Sequence, residues 1–137
     1  MFSSVSHRSA SAYQRVSVET DVSHASPHHL VHLLFQALLR NIGAARLAIK
    51  SGAVAAKGEY IIKAVRIIDE GLKPALNRAD GGELAQNLHG MYGFCVDRLT
   101  LANLTNSDAA LCDVLRVIEP LADGWSGIGQ EVDKRAH

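Results

Sequence analysis

Between Pro27 and Lys50 the polar positions are His29, His32, Gln36, Arg40, Gly43, Arg46 and Lys50, separated by steps of three and four. Such steps trace a single stripe along an α-helix. Nearly everything between them is apolar, including Leu30, Val31, Leu34, Phe35, Leu38 and Ile42. A surface helix needs an apolar arc only a little over 100° wide. This one is apolar round well over half its circumference, which predicts the central helix of a bundle or a helix with a second apolar face for a partner. Ser26 is placed to cap its start, Pro27 fits the first helical position, and Ser51-Gly52 ends it.

Three more helices follow from the same reasoning. Residues 53–77 carry a solvent stripe of Glu59, Lys63, Arg66, Glu70, Lys73 and Asn77. Glu59/Lys63 and Arg66/Glu70 are i,i+4 pairs of opposite charge. Ile61, Val65, Ile68 and Leu72 form the expected core seam, with Tyr60, Ala64, Ile67 and Gly71 as an adjacent strip. Pro74 has no amide to give the carbonyl of Glu70, which predicts a kinked last turn. Asp80-Gly81-Gly82 signals a turn before a helix over 82–105. Its expected seam is Leu84, Leu88, Met91, Cys95, Leu99 and Ala102, flanked by Tyr92 and Val96. Phe94, Leu101 and Leu104 lie off that seam as a separate strip. Asn106-Ser107-Asp108 is a loop and N-cap signal. A last helix over 108–128 follows, with Leu111, Leu115, Ile118, Leu121, Trp125 and Ile128 inward.

Short connections make sequential helices antiparallel neighbours. The predicted fold is therefore all-α, an antiparallel up-down four-helix bundle over residues 26–128. Residues 1–25 read as a flexible N-terminal arm or cap, in which Val16, Val18 and Val22 alternate at even spacing as in an extended segment. Residues 129–137 read as a polar tail.

Composition narrows the function. Lys plus Arg and Asp plus Glu are both 14, and the charges are interspersed. No basic face of the kind that binds nucleic acid results. No run of apolar residues is long enough to insert into a membrane. The Ser-rich start lacks the apolar core of a signal peptide, so the cytoplasm is the expected compartment. Cys95 and Cys112 fall within apolar-periodic stretches, as buried free thiols do.

The candidate chemistry is thin. A di-iron bundle needs Glu-x-x-His pairs facing inward; the nearest match is Asp21-x-x-His24, ahead of the first predicted helix. His24, His28 and His32 gather near that helix start, and His28/His32 have the i,i+4 spacing of a zinc-binding pair. A solvated first turn is the plainer reading. No nucleophile sits in a recognisable strained turn, and Gly81-Gly82 is not a phosphate loop. No catalytic residue, metal ligand or cofactor is expected. The excess apolar surface is the better signal: it points to homodimerisation or to a groove for an amphipathic helix.

The same residues resemble a known family. Ala12-Tyr13, Val18-Glu19-Thr20, Ala25-Ser26-Pro27 with Leu30, Gly81-Gly82-Glu83-Leu84-Ala85-Gln86-Asn87-Leu88 with Tyr92, Arg98-Leu99-Thr100, Ala102-Asn103 and Trp125 look like the signature of the flagellin-specific export chaperones, the FliS family. The likeness covers roughly residues 12 to 128. It implies a non-enzymatic protein that binds the disordered C-terminal segment of flagellin and blocks premature polymerisation. While loaded, it would meet a component of the flagellar type III export gate; an adaptor for another secretion substrate is the related alternative. The resemblance further implies that the N-terminal segment is a movable cover over the client surface, a role that falls on Tyr13 and Val16. Together with the strips above, the expected partner contacts are Tyr13, Val16, Val18, Tyr60, Ile67, Tyr92, Phe94, Leu101 and Leu104. Gly90, Gly93 and Pro120 depart from the family pattern.

Overall fold

A computed structural model describes the backbone of residues 2–16, 25–76 and 78–136, and side chains within 8–15, 25–76 and 81–127. Among these residues the secondary structure is helical, with no strand. Helix α1 is Phe2–Val16, α2 is Pro27–Ser51, α3 is Val54–Arg66, α4 is Arg78–Thr105 and α5 is Asp108–Ala136. A π-helical turn, Ile67–Leu72, and a last α-turn, Lys73–Ala75, continue α3.

Local chemistry sets the ends. The Ser26 hydroxyl accepts the His29 amide at 3.1 Å. Gly52 and Asn106 adopt positive φ, at 73° and 55°. Each lets an amide reach five residues back: Ala53 to the Ala48 carbonyl, Ser107 to the Ala102 carbonyl. These are helix-ending motifs that a residue in the left-handed region permits. The Ser107 hydroxyl accepts the Ala110 amide and starts α5. Gly82, at φ 55°, breaks α4 near its beginning. The turn predicted over Asp80-Gly81-Gly82 thus narrows to one residue.

The long helices form a closed ring, α2 beside α3, α3 beside α4, α4 beside α5 and α5 beside α2. Contacts between named residues show the antiparallel sense. Arg46, late in α2, binds Asp108, first in α5, while His28, early in α2, meets Trp125, late in α5. Lys57, early in α3, donates to the Asn103 carbonyl at 2.8 Å and to Asn106 Oδ1 at 2.6 Å. Lys57 is almost fully buried, and its ammonium neutralises the carbonyl-rich end of α4. At the other end, His28 and Trp125 stack at 4.5 Å between ring centroids. The indole N–H donates to the His28 carbonyl, and the His28 Nε2 lies 3.0 Å from the Trp125 carbonyl.

Several expectations change. Phe2–Val16 is not extended: it is helical and packs against the π-turn and α2. Ser9, Ala12 and Tyr13, at helical spacing, are all buried, and the Ser9 hydroxyl donates to the Gly71 carbonyl at 2.8 Å. A Ser-rich composition concealed this face because a hydroxyl docks well on a spare carbonyl. The alternation through Val18 and Val22 lies outside the described residues. The polar tail is helical through Ala136, in a stretch with no proline after Pro120. In α4, Leu84 is exposed and Met91 partly so, while Ala85, Tyr92, Cys95, Leu99 and Ala102 make the inner face.

The kink expected at Pro74 is realised as the wider π-turn, with the Lys73 amide reaching five residues back to Ile68. That turn encloses both Ile67 and Ile68 completely. It also carries Gly71, where a Cβ would stand 2.8 Å from Leu34 Cδ2. The missing side chain is what lets Leu34 of α2 approach.

Gly71→Ala is expected to lower stability by about 1–3 kcal/mol through overpacking, read from denaturant midpoints. Gly43→Ala, with open space around its Cβ, is the control and should be neutral or gain up to about 1 kcal/mol. The Arg46 guanidinium hydrogen-bonds to Asp108 and holds its carboxyl below the ordinary range. The stability linked to that pair is therefore complete above the unfolded Asp pKa and lost as pH falls through the folded one. Arg46→Gln should flatten the acid limb of the Tm–pH curve.

Candidate functional site

Helix α4 has more apolar residues than one inner face can use. With Cys95, Leu99 and Ala102 turned inward, residues at steps of seven and three from Phe94 face away. Phe94, Leu101 and Leu104 are exposed there, Leu104 by 78%. The Arg98 guanidinium lies over the Phe94 ring, 5.6 Å from its centroid, and also pairs with Asp113 of α5 at 3.7 Å. The ring thus carries a cation on one face and stays 43% exposed.

Beside this face, α3 and α4 border a groove of about 410 Å³. Ile61, Ile62 and Val65 line one side and Thr100 and Asn103 the other, with Arg66, Asp69 and Glu70 on its rim. Ile62 is 52% exposed. Glu70 joins this groove to the seat of α1. Its Oε1 receives the Arg15 guanidinium at 3.0 Å, and its Oε2 stands 3.5 Å from Arg66 Nε. Oε2 is shut off from solvent and makes no hydrogen bond.

The residues singled out from sequence separate into groups. Phe94, Leu101 and Leu104, read from sequence as a strip off the core seam, are exposed. Tyr13 lies on the bundle, almost wholly buried, and Tyr60 is half-buried. Ile67 is fully enclosed and Tyr92 nearly so, so neither is an exposed contact in this arrangement. The physical reasons are the π-turn, which directs Ile67 inward, and the rotation of α4, which exchanges Tyr92 for Met91. The side chains of Val16 and Val18 lie outside the described residues. Ile62, Leu47 and Val54 are exposed apolar residues that sequence reading missed. For Ile62 a signal existed: it stands at the border between the core seam and the solvent stripe of its helix.

Burial pushes the Cys95 thiol up to about 11, which keeps it protonated and a poor nucleophile. Burial likewise raises the Tyr92 phenol. His28 is turned onto Trp125, and His29 stacks on His32 with centroids 6.0 Å apart. Among the described residues no group of three or more His, Cys, Asp or Glu side chains is placed to hold a metal ion. His24 lies outside them. No helix among the described residues is long and apolar enough to cross a membrane.

Comparison with known proteins adds an independent observation. Residues 9–132 match the family profile described as "Flagellar protein FliS". The chain is 43% identical over 117 residues to the "Flagellar secretion chaperone FliS" of Salmonella typhimurium, covering 85% of this chain and 87% of that protein. It is 41% identical over 116 residues to the "Flagellar secretion chaperone FliSB" of Pseudomonas aeruginosa, at 85% and 91% coverage. The relative from Bacillus subtilis is 34% identical over 126 residues, covering 92% of this chain and 90% of that protein.

Exposure predicts how the strip responds to charge. Leu104→Asp should change stability by no more than about 0.5 kcal/mol, whereas Leu99→Asp, wholly buried, should abolish cooperative thermal unfolding. Circular dichroism melts of the two variants make the comparison.

Proposed function

The chain belongs to the FliS family of flagellar secretion chaperones, and from that premise we propose that its client is the C-terminal segment of flagellin, held in the cytosol before export. The observation that supports this reading is the unpartnered apolar face of α4, with the groove beside it. A disordered client segment that later packs in a filament must carry amphipathic surface. Covering that surface prevents early polymerisation, and binding orders the segment at an entropic cost. That cost limits affinity, which suits a client that must be released.

In the same proposal α1 is a displaceable cover. It is short, tethered through residues 17–26, and seated beside the groove through Ser9, Tyr13 and Arg15. A tether of that length keeps α1 at high effective concentration near its seat, so an incoming segment must outcompete it. The loaded complex is then what the export gate receives. The metal-binding alternative gains no support from the described histidines, since His28 is committed to Trp125.

Calorimetry with a flagellin C-terminal peptide should give one-to-one binding and a negative heat-capacity change. Leu101→Asp and Leu104→Asp together should weaken that binding at least about tenfold, since several apolar contacts are lost at once. Absence of heat at high micromolar peptide, or full affinity in the double variant, would overturn the reading.

A further inference from the structure

We infer that Glu70 is a specificity-determining residue: it selects, in the segment that displaces α1, a basic side chain two positions beyond the large apolar residue that fills the place of Tyr13. The inference rests on the proposal that a client takes the seat of α1. It follows from what each contact of that seat can discriminate. Ser9 gives a hydrogen bond to the Gly71 carbonyl, which any hydroxyl, or water once the seat is open, can replace. Ala12 and Tyr13 are buried in the seat, and burying a methyl group and an aromatic ring does not depend on the sign of a charge. Arg15 on Glu70 is an ion pair, so it does depend on sign.

Asp69 and Glu70 are already matched in number by Arg66 and Lys73, so it is the geometry at Glu70 Oε1, rather than unbalanced charge, that receives Arg15. Lys73 is engaged by Asp69 at 2.9 Å. Arg66 stands against Glu70 Oε2. Glu70 Oε1 faces the docked helix, and there Arg15 binds. Both partners remain partly exposed, so their attraction is modest and screened by salt. It is suited to choosing among segments of similar hydrophobicity rather than to supplying the affinity. Glu70 also lines the α3–α4 groove, so a segment that enters the seat and runs on into the groove passes this carboxylate.

The test uses the full chain carrying Tyr13→Ala, which loosens its own α1 without altering charge. Two labelled peptides are titrated by fluorescence anisotropy: residues 2–16 of this chain, and the same peptide with Arg15→Glu. The affinity ratio is taken within one protein, so competition by the internal helix cancels. With Glu70 present the Arg peptide should bind about fivefold tighter. Glu70→Gln should bring the ratio near one, and Glu70→Arg should invert it. At 1 M NaCl the preference should collapse. A ratio indifferent to residue 70 overturns the inference, as does failure of both peptides to bind at millimolar concentration. Flagellin peptide separates the two proposals. If it binds the native chain and Glu70→Arg equally, the role of Glu70 falls while the client reading stands. If the peptide preference inverts as described but flagellin does not bind, Glu70 keeps its role and the client reading falls.

Discussion

The apolar girth of α2 is the constraint around which the other helices are arranged. Leu30, Val31, Leu34, Leu38, Ile42, Ala45 and Ala48 are buried, and the equally buried Ala37 and Phe35 extend that arc at its two edges. No single neighbour can cover such an arc. Helices α3 and α5 flank α2, and α1 takes part of what remains. Aromatic residues are only 5% of the chain, so this covering is done with branched aliphatic side chains and close approach. Gly71 is where the approach is tightest, since Leu34 occupies the space of its absent Cβ.

The π-turn follows from that constraint and from Pro74 together. Pro74 cannot donate an amide, so the helix before it is free to widen, and widening encloses Ile67 and Ile68 at once. The Gly71 carbonyl in the same turn is what α1 docks on through Ser9. The π-turn and the seat of α1 therefore share one site. Interactions at the two ends of the bundle fix its register: Lys57 on the end of α4, and the reciprocal His28–Trp125 contact between α2 and α5. Between them the α3–α4 groove stays open.

Burial and exposure divide the residues of α4 chemically. The raised thiol of Cys95 and the raised phenol of Tyr92 are consequences of burial inside α4, away from the exposed strip. What α4 presents outward is Phe94, Leu101 and Leu104, with Arg98 steadying the aromatic ring.

The four long helices, their caps at Ser26 and Gly52, the N-cap signal at Asn106-Ser107-Asp108 and a strip of Phe94, Leu101 and Leu104 set off from the seam are all legible in the sequence. Periodicity and capping are local properties, readable within one turn or two. The family resemblance on Gly81-Gly82 and its following residues was likewise legible, because motif order survives without coordinates. That Phe2–Val16 is a docked helix is a matter of packing at long range, since its docking depends on the Gly71 carbonyl, 62 residues away from Ser9 in sequence. The same is true of Ile67 and Tyr92, which a surface strip and an enclosed strip present with identical spacing. Which strip is covered depends on where α1 and the π-turn lie, and those are set by packing across the chain rather than along it.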